Sequence, residues 1–150
     1  MYKDIVTVFN RKIDDSGDYW YPTVLHNVHV NTDRAAILAK YGESAQDTAM
    51  INIRYHLRDN EKMVGEKVWL PPKEWARQED AAEYITFKSG DVFDFIYVGE
   101  WTDESPINNR DYSDVGGFYN LMNKEHDFVF AISSVGGPYT VIPHFEILCR

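Results

Sequence analysis

The sequence predicts a mainly β fold, a barrel or a sandwich-like core with one or two short helices and α+β additions. Three observations carry that prediction. Aromatic residues reach 15%, from four Trp, ten Tyr and eight Phe, and such side chains favour strands and bury large areas. β-branched runs recur with period-two alternation, most clearly in AMINIRY at residues 49–55. Clusters of Asp, Ser, Gly and Pro punctuate those runs as turns. At 150 residues, 44% of them apolar, the chain suits one domain over residues 1–150 with a core of its own. Core hairpins are expected over about residues 5–30, 48–70 and 128–148.

Residues 5–10 (IVTVFN) read as the first strand. Asp14-Asp15-Ser16-Gly17 follows as a turn, because Gly17 takes positive φ freely and Asp tolerates it. Residues 19–30 (YWYPTVLHNVHV) form the second strand, in which Pro22 marks an edge or a bulge because it cannot donate to a ladder. Asn31-Thr32-Asp33 offers an N-cap to a short helix over Arg34–Tyr41, with Gly42 at its end. Ala35, Leu38 and Ala39 would form its buried face.

Residues 48–56 alternate, with Ala49, Ile51, Ile53 and Tyr55 toward the core and Met50 as the exception. Residues 58–61 are a polar loop, and residues 67–70 the next strand, stopped by Pro71-Pro72. Residues 73–83 are charged and include a helical turn. Residues 85–87 and 92–98 are strand candidates about a Ser89-Gly90-Asp91 turn, the second being short enough to pack as a buried helix instead. Residues 102–117 are the least regular stretch, a long loop open to mobility or partner contact. Phe118, Leu121 and Met122 fall at helical spacing in residues 118–125. The chain closes with a hairpin of residues 128–135 and 139–148 about Gly136-Gly137-Pro138. Phe128, Phe130 and Ile132 would alternate inward on one arm, and Val141, Phe145 and Ile147 on the other.

Lys and Arg number 15 against 24 Asp and Glu, a net charge of −9. That field repels a phosphate backbone and argues against nucleic-acid binding as the main activity. Cys149 is the only cysteine, so no disulfide can form within the chain. No apolar run suggests a signal peptide or a membrane span, and a cytoplasmic origin is expected.

Each residue set with chemical potential reads more simply as structure. His26 and His29 would share one face of a helix, but on a strand their odd spacing separates them, and no further ligand completes a zinc set. The acidic run Asp14-Asp15-Ser16-Gly17-Asp18 lacks the alternating spacing and terminal Glu of a calcium loop. Glu74, Glu79, Asp80 and Glu83 suit a charged surface, and Glu100-Trp101 is a weak glycosidase-like cue. Ser133-Ser134 before Gly136-Gly137 matches neither a nucleophile elbow nor a phosphate loop. No catalytic, metal or cofactor site is therefore expected. Trp69, Pro71, Pro72 and Trp75 stay open to two readings: a core strand with its covering turn, or a rigid corner for docking a partner.

Eight segments together resemble an uncharacterised protein family of tailed bacteriophages and prophages of Gram-positive bacteria. They are VTVFNR (6–11), YWYPTVLHNV (19–28), DRAAILAKYG (33–42), DTAMINIRY (47–55), KVWLPPKEW (67–75), ITFKSG (85–90), DFIYVGEW (94–101) and SSVGGPYTVIPHFEI (133–147). The order of an N-terminal hairpin, a middle segment and an INIRY strand also resembles phage head-closure (stopper) proteins, small barrels that ring the portal. Residues 84–150 extend beyond that pattern. The resemblance implies a virion structural or assembly protein at the head–tail junction and no enzymatic role. It would bind other phage structural proteins and form a ring homo-oligomer, first in the host cytoplasm and then in the virion. Trp69, Pro71, Pro72, Trp75 and Trp101 are the expected contact residues, with the loop of residues 102–117. A carbohydrate-binding module stacking sugars on exposed Trp and Tyr is the alternative, and a hydrolase the less favoured one.

Overall fold

Period-two alternation sends successive side chains to opposite faces of a strand, and here both faces are apolar along much of the first and last hairpins. A sheet of that kind needs cover on both sides. The computed structural model, which describes residues 2–150, supplies it by closing the sheet on itself and laying a helix outside. The elements run β1 (Asp4–Asp14), β2 (Gly17–Asn31), α1 (Arg34–Tyr41), β3 (Ala49–Arg54), β4 (His56–Arg58), β5 (Glu61–Val64), β6 (Lys67–Trp69) and α2 (Pro72–Ala76). They continue with β7 (Tyr84–Ile85), β8 (Phe95–Tyr97), β9 (Ile107–Asn108), α3 (Phe118–Glu125), β10 (Val129–Tyr139) and β11 (His144–Cys149). Short 3-10 segments cover Ala81–Glu83 and Asn109–Val115.

Six antiparallel strands, in the order β1-β8-β10-β11-β3-β2, close into a barrel through the β1–β2 hairpin. The fold is thus mainly β, and the barrel rather than the sandwich is the form it takes. A barrel this narrow is filled by its own side chains. Val6, Val8, Ile51, Ile53, Ile96, Ile132, Phe145 and Ile147 are buried in one cluster. Cross-strand pairs such as Val8↔Ile96, Phe130↔Ile96 and Ile147↔Ile51 set its register. The alternate residues point outward into a second, aromatic cluster. There Phe9 stacks on Phe95 with ring centroids 4.6 Å apart, and Trp20 meets Phe95 edge-on at 4.8 Å. Phe118 and Met122 of α3 cover them.

A bulge bends β2 from one neighbour to the other. Asp4 opposes Val28, but Val6 opposes Leu25, so β2 holds one extra residue there. Asn27 takes φ +58°, a left-handed conformation that Asn tolerates better than most residues. Beyond the bulge β2 pairs with β3 through residues 29–31. On that same side Tyr19 and Trp20 pair with β9, and residues 21–28 between have, among the described residues, no strand beside them there. Pro22 lies in this open stretch, as an edge position requires. A second sheet, β4-β5-β6-β7, stands beside the barrel and sends Val64 and Ile85 into the interior cluster, joined by Phe87 just after β7.

α1 begins at Asp33, whose carboxylate accepts from Ala35 and Ala36 N–H, and Gly42 at φ +92° closes it. Its buried face differs from the expected one. Ile37 is the buried residue, packed with Met50 and Leu148, while Ala35 and Ala39 are exposed. This also explains the irregular Met50: it faces away from the barrel interior but lies under α1.

Three other expectations are corrected. Residues 58–61 are a tight hairpin, in which Asp59 and Asn60 both take positive φ, as a two-residue turn demands. Residues 102–117 hold β9 and a 3-10 segment. Gly136-Gly137-Pro138 lies within β10, and the chain reverses after Tyr139 instead. A Cβ on Gly137 (φ +99°) would stand 2.9 Å from Tyr139 N and 3.0 Å from His144 O. The glycine thus permits close packing in a bulge and does not mark the reversal. In consequence Val141 is exposed at the tip and not in the core. Phe128, just before β10, is exposed too, whereas Ile132 is inward and Phe130 packs against the interior cluster.

Candidate functional site: a cleft beside the open strand and an apolar hairpin tip

The expected contact residues fall into different environments. Trp75 is wholly buried, which corrects the docking reading for this residue and leaves the core reading. Its ring meets Tyr21 edge-on at 5.9 Å, its indole N–H donates to Tyr84 O, and the Lys88 ammonium lies 4.6 Å from its ring centre. Trp69 is half-buried and leans on Phe145 at 5.1 Å. Pro71 is exposed and Pro72 half-buried at the start of α2, where Pro is suited to the first helical turn. Trp101 is half-buried, packed edge-on by Phe9 and Phe118. The indole N–H groups of Trp69 and Trp101 are buried without a hydrogen-bond acceptor among the described residues.

The fold brings Trp101 and the neighbourhood of Trp69 to one place. A cleft of about 820 Å³ is walled by Pro22, Thr23, Val24, His26 and Asn27 of β2. Gly65 and Glu66 of the β5–β6 turn and Lys67 at the start of β6 face them, and Ala82, Glu100, Trp101, Thr102 and Glu104 complete the lining. Lys67 crosses the cleft, its Nζ donating to Thr23 Oγ1 at 2.8 Å and to Pro22 O at 3.5 Å. Burial lowers the pKa of its ammonium, opposed by the carboxylates of Glu104 and Glu83.

The second surface was not legible as such in the sequence. At the β10–β11 tip Val141 is 96% exposed and Ile142 67% exposed. With Pro138, Tyr139, Thr140, His144 and Glu146 they line a shallow hollow of about 420 Å³. The tip is held on its stem. Tyr55 Oη donates to Tyr139 O at 2.6 Å, and Tyr55 N to Pro143 O at 3.3 Å. A reversal at the glycines would turn Val141 inward; the reversal after Tyr139 leaves it at the tip.

Two polar networks fix the frame around these surfaces. Asp94, fully buried, accepts from Asn10 Nδ2 at 2.8 Å, Arg11 N at 2.9 Å, Lys88 N at 2.9 Å and Lys88 Nζ at 2.6 Å. Burial pushes its carboxyl above the ordinary carboxylate range, and the Lys88 ammonium opposes that rise without cancelling it. Every polar neighbour donates, an arrangement suited to the carboxylate form. Asp18 takes the Arg11 guanidinium as a fork, at 2.9 and 2.8 Å, and Asn109 Nδ2 at 3.0 Å. Asn109 Oδ1 in turn accepts from Trp20 Nε1 at 2.8 Å and Phe118 N at 2.9 Å. The segment expected as a mobile loop is therefore tied to β2 and α3.

The hydrogen bond from Arg11 holds the Asp18 carboxyl below its ordinary value of 3.8, with Asn109 assisting and partial burial opposing. The folded protein thus binds this proton more weakly than the unfolded chain does. The network contributes its full stability above that ordinary value and loses it as pH falls through the lower folded value. Urea unfolding at stepped pH is expected to show a shallower acid limb for Asp18→Asn than for the wild type. Parallel limbs would show that Asp18 does not contribute.

His26, within the bulge, is exposed, and His29, just beyond it, is half-buried. Among the described residues no group of three or more His, Cys, Asp or Glu is placed to hold a metal ion. Cys149 is fully buried, and burial pushes its thiol well above the usual range, which makes it a poor nucleophile. No helix among the described residues is long and apolar enough to cross a membrane.

The model of a family of unknown function, DUF6751, matches residues 1–150. The chain belongs to that family. None of the curated proteins and none of the solved structures matches it.

Proposed function

We propose that the protein is a virion structural or assembly component of a tailed bacteriophage, placed at the head–tail junction and acting through protein–protein contacts. The observation that carries the contact reading is the apolar hairpin tip. Two branched aliphatic residues, 96% and 67% exposed, are held out on a braced turn, where water alone would not favour them. The phage setting rests on the sequence resemblance. A tip that docks on a different surface of the next copy makes a head-to-tail contact, and such contacts form a ring when the rotation between copies closes. The net charge of −9 opposes that association between free copies, so the ring forms on a partner that offsets it.

The carbohydrate-binding alternative needs open indole faces. Trp75 offers none, and Trp101 is already packed by Phe9 and Phe118. It has correspondingly less support.

The experiment is mass analysis of purified virions from a host carrying the gene, with wild-type protein and with the double variant V141D/I142D. The wild type is expected in the particle. The variant is expected to unfold within about 0.5 kcal/mol of wild type, as surface changes generally do, yet to be lost from particles. Absence of the wild-type protein from virions would remove the structural reading. Normal incorporation of the variant would remove the tip as its contact.

A further inference from the structure

The cleft beside β2 contains an unfinished sheet. β9 pairs with Tyr19 and Trp20, and β3 pairs with residues 29–31. Both lie on the same side of β2, opposite β1. The eight residues between, 21–28, have β1 on one side and, among the described residues, no strand on the other. At about 3.3 Å per residue the gap runs for roughly 26 Å. Pro22 O points into it, since it accepts from Lys67 across the cleft. Backbone groups on a strand alternate sides, so the N–H and C=O of Val24 point the same way. Among the described residues no turn or loop takes those two groups. An open edge of this kind is a template for another strand.

The walls indicate what that strand would carry. Glu66, Glu100 and Glu104 line the cleft against one ammonium, Lys67, whose Nζ is occupied by Thr23 and Pro22. Trp101 also lines the cleft, and its buried indole N–H has no acceptor among the described residues. A second copy of this chain carries the same −9 charge and suits the cleft poorly. We propose that the cleft binds an extended, basic segment of another protein, which adds to β2 as a strand between β9 and β3. Its backbone would pair with Val24, and its Lys or Arg side chains would meet Glu66, Glu100 and Glu104. This is β-strand addition, in which the main chain supplies affinity and side-chain pockets supply selectivity. It is independent of the hairpin tip and holds whatever particle the protein serves.

The test uses the full chain and three fluorescent decapeptides: alternating Lys-Val, alternating Glu-Val, and Lys-Val with its backbone amides methylated at every second residue. Anisotropy is expected to show binding of the first peptide only, and hydrogen exchange at the Val24 amide is expected to slow when it binds. Val24→Pro removes that N–H at an edge position that tolerates proline. It is expected to weaken the Lys-Val peptide by about tenfold, and E100Q/E104Q to weaken it while leaving the unfolding midpoint unchanged. Equal binding of the methylated peptide would reduce the interaction to bulk charge attraction and overturn the strand pairing. Binding of the Glu-Val peptide, or no binding of any peptide, would overturn the proposal as well. If Val24→Pro shifts the unfolding midpoint, exchange at Val24 in the wild type decides alone.

Discussion

Asp94→Ala is expected to destabilise the protein by about 3–5 kcal/mol, the cost of breaking a buried ion pair on one side. Four donors converge on this carboxylate, from Asn10, the Arg11 backbone and both nitrogens of Lys88. Removing it leaves the Lys88 ammonium, whose side chain is only 13% exposed, with Arg11 O and the Trp75 ring as partners. Asn10 would keep its bond to Thr86 O but lose the carboxylate that orients it. The damage is not confined to one side chain, because this network pins residues 86–94 to β1. Urea unfolding measures the loss. Replacing both partners, as K88M/D94L, is expected to cost less than Asp94→Ala alone, since breaking a buried pair costs more than substituting it whole. Should the double replacement cost the sum of the two single ones, the groups act independently and the network has been misread.

The second large effect lies on the outer side of the barrel wall. Phe95→Ala is expected to cost about 3–5 kcal/mol, the range for emptying a buried aromatic site. Phe95 is fully buried. It stacks on Phe9 at 4.6 Å and meets Trp20 at 4.8 Å, Tyr119 at 5.1 Å and Phe118 at 6.0 Å. Its loss opens a cavity that the rigid barrel cannot close, because its neighbours on β1 and β2 are fixed by strand pairing. The side able to move is α3, a helix of eight residues, too short to persist without its packing. Amide exchange in α3 is therefore expected to rise before exchange in the barrel strands. Phe128→Ala is the control, because Phe128 is 57% exposed and its truncation is expected to stay within about 0.5 kcal/mol. A Phe95→Ala protein as stable as this control would mean that α3 is held by something other than the aromatic cluster.

Strands and helices whose signals are local were readable along the chain. α1 and α3 occupy the expected residues because a cap, a closing glycine or an apolar spacing lies within their own few positions. β3 showed its inward set, Ala49, Ile51, Ile53 and Tyr55, because one face of it meets the barrel interior. Where both faces are covered, alternation gives no such contrast. Residues 92–98 are an example: Phe95 and Ile96 are both fully buried, one under α3 and the other inside the barrel. Gly136-Gly137 misled because a glycine that allows a close backbone approach looks the same in sequence as one that allows a turn. Of the residues expected to make contacts, Trp101 lines the cleft, whereas Trp75 is core. Nothing local to a Pro-Pro corner says which side of it the indole takes.

Composition and pattern by themselves determined that this chain is acidic, rich in aromatics and mainly β, and where most of its strands and helices start. Those properties depend on residues close together in sequence. The tertiary structure decided that the sheet closes into a six-stranded barrel and that eight residues of β2 have no second strand beside them among the described residues. It also decided that Val141 and Ile142 face water. Each of these is settled by pairing between distant segments, where the water excluded by one strand depends on which other strand, helix or loop comes to lie against it.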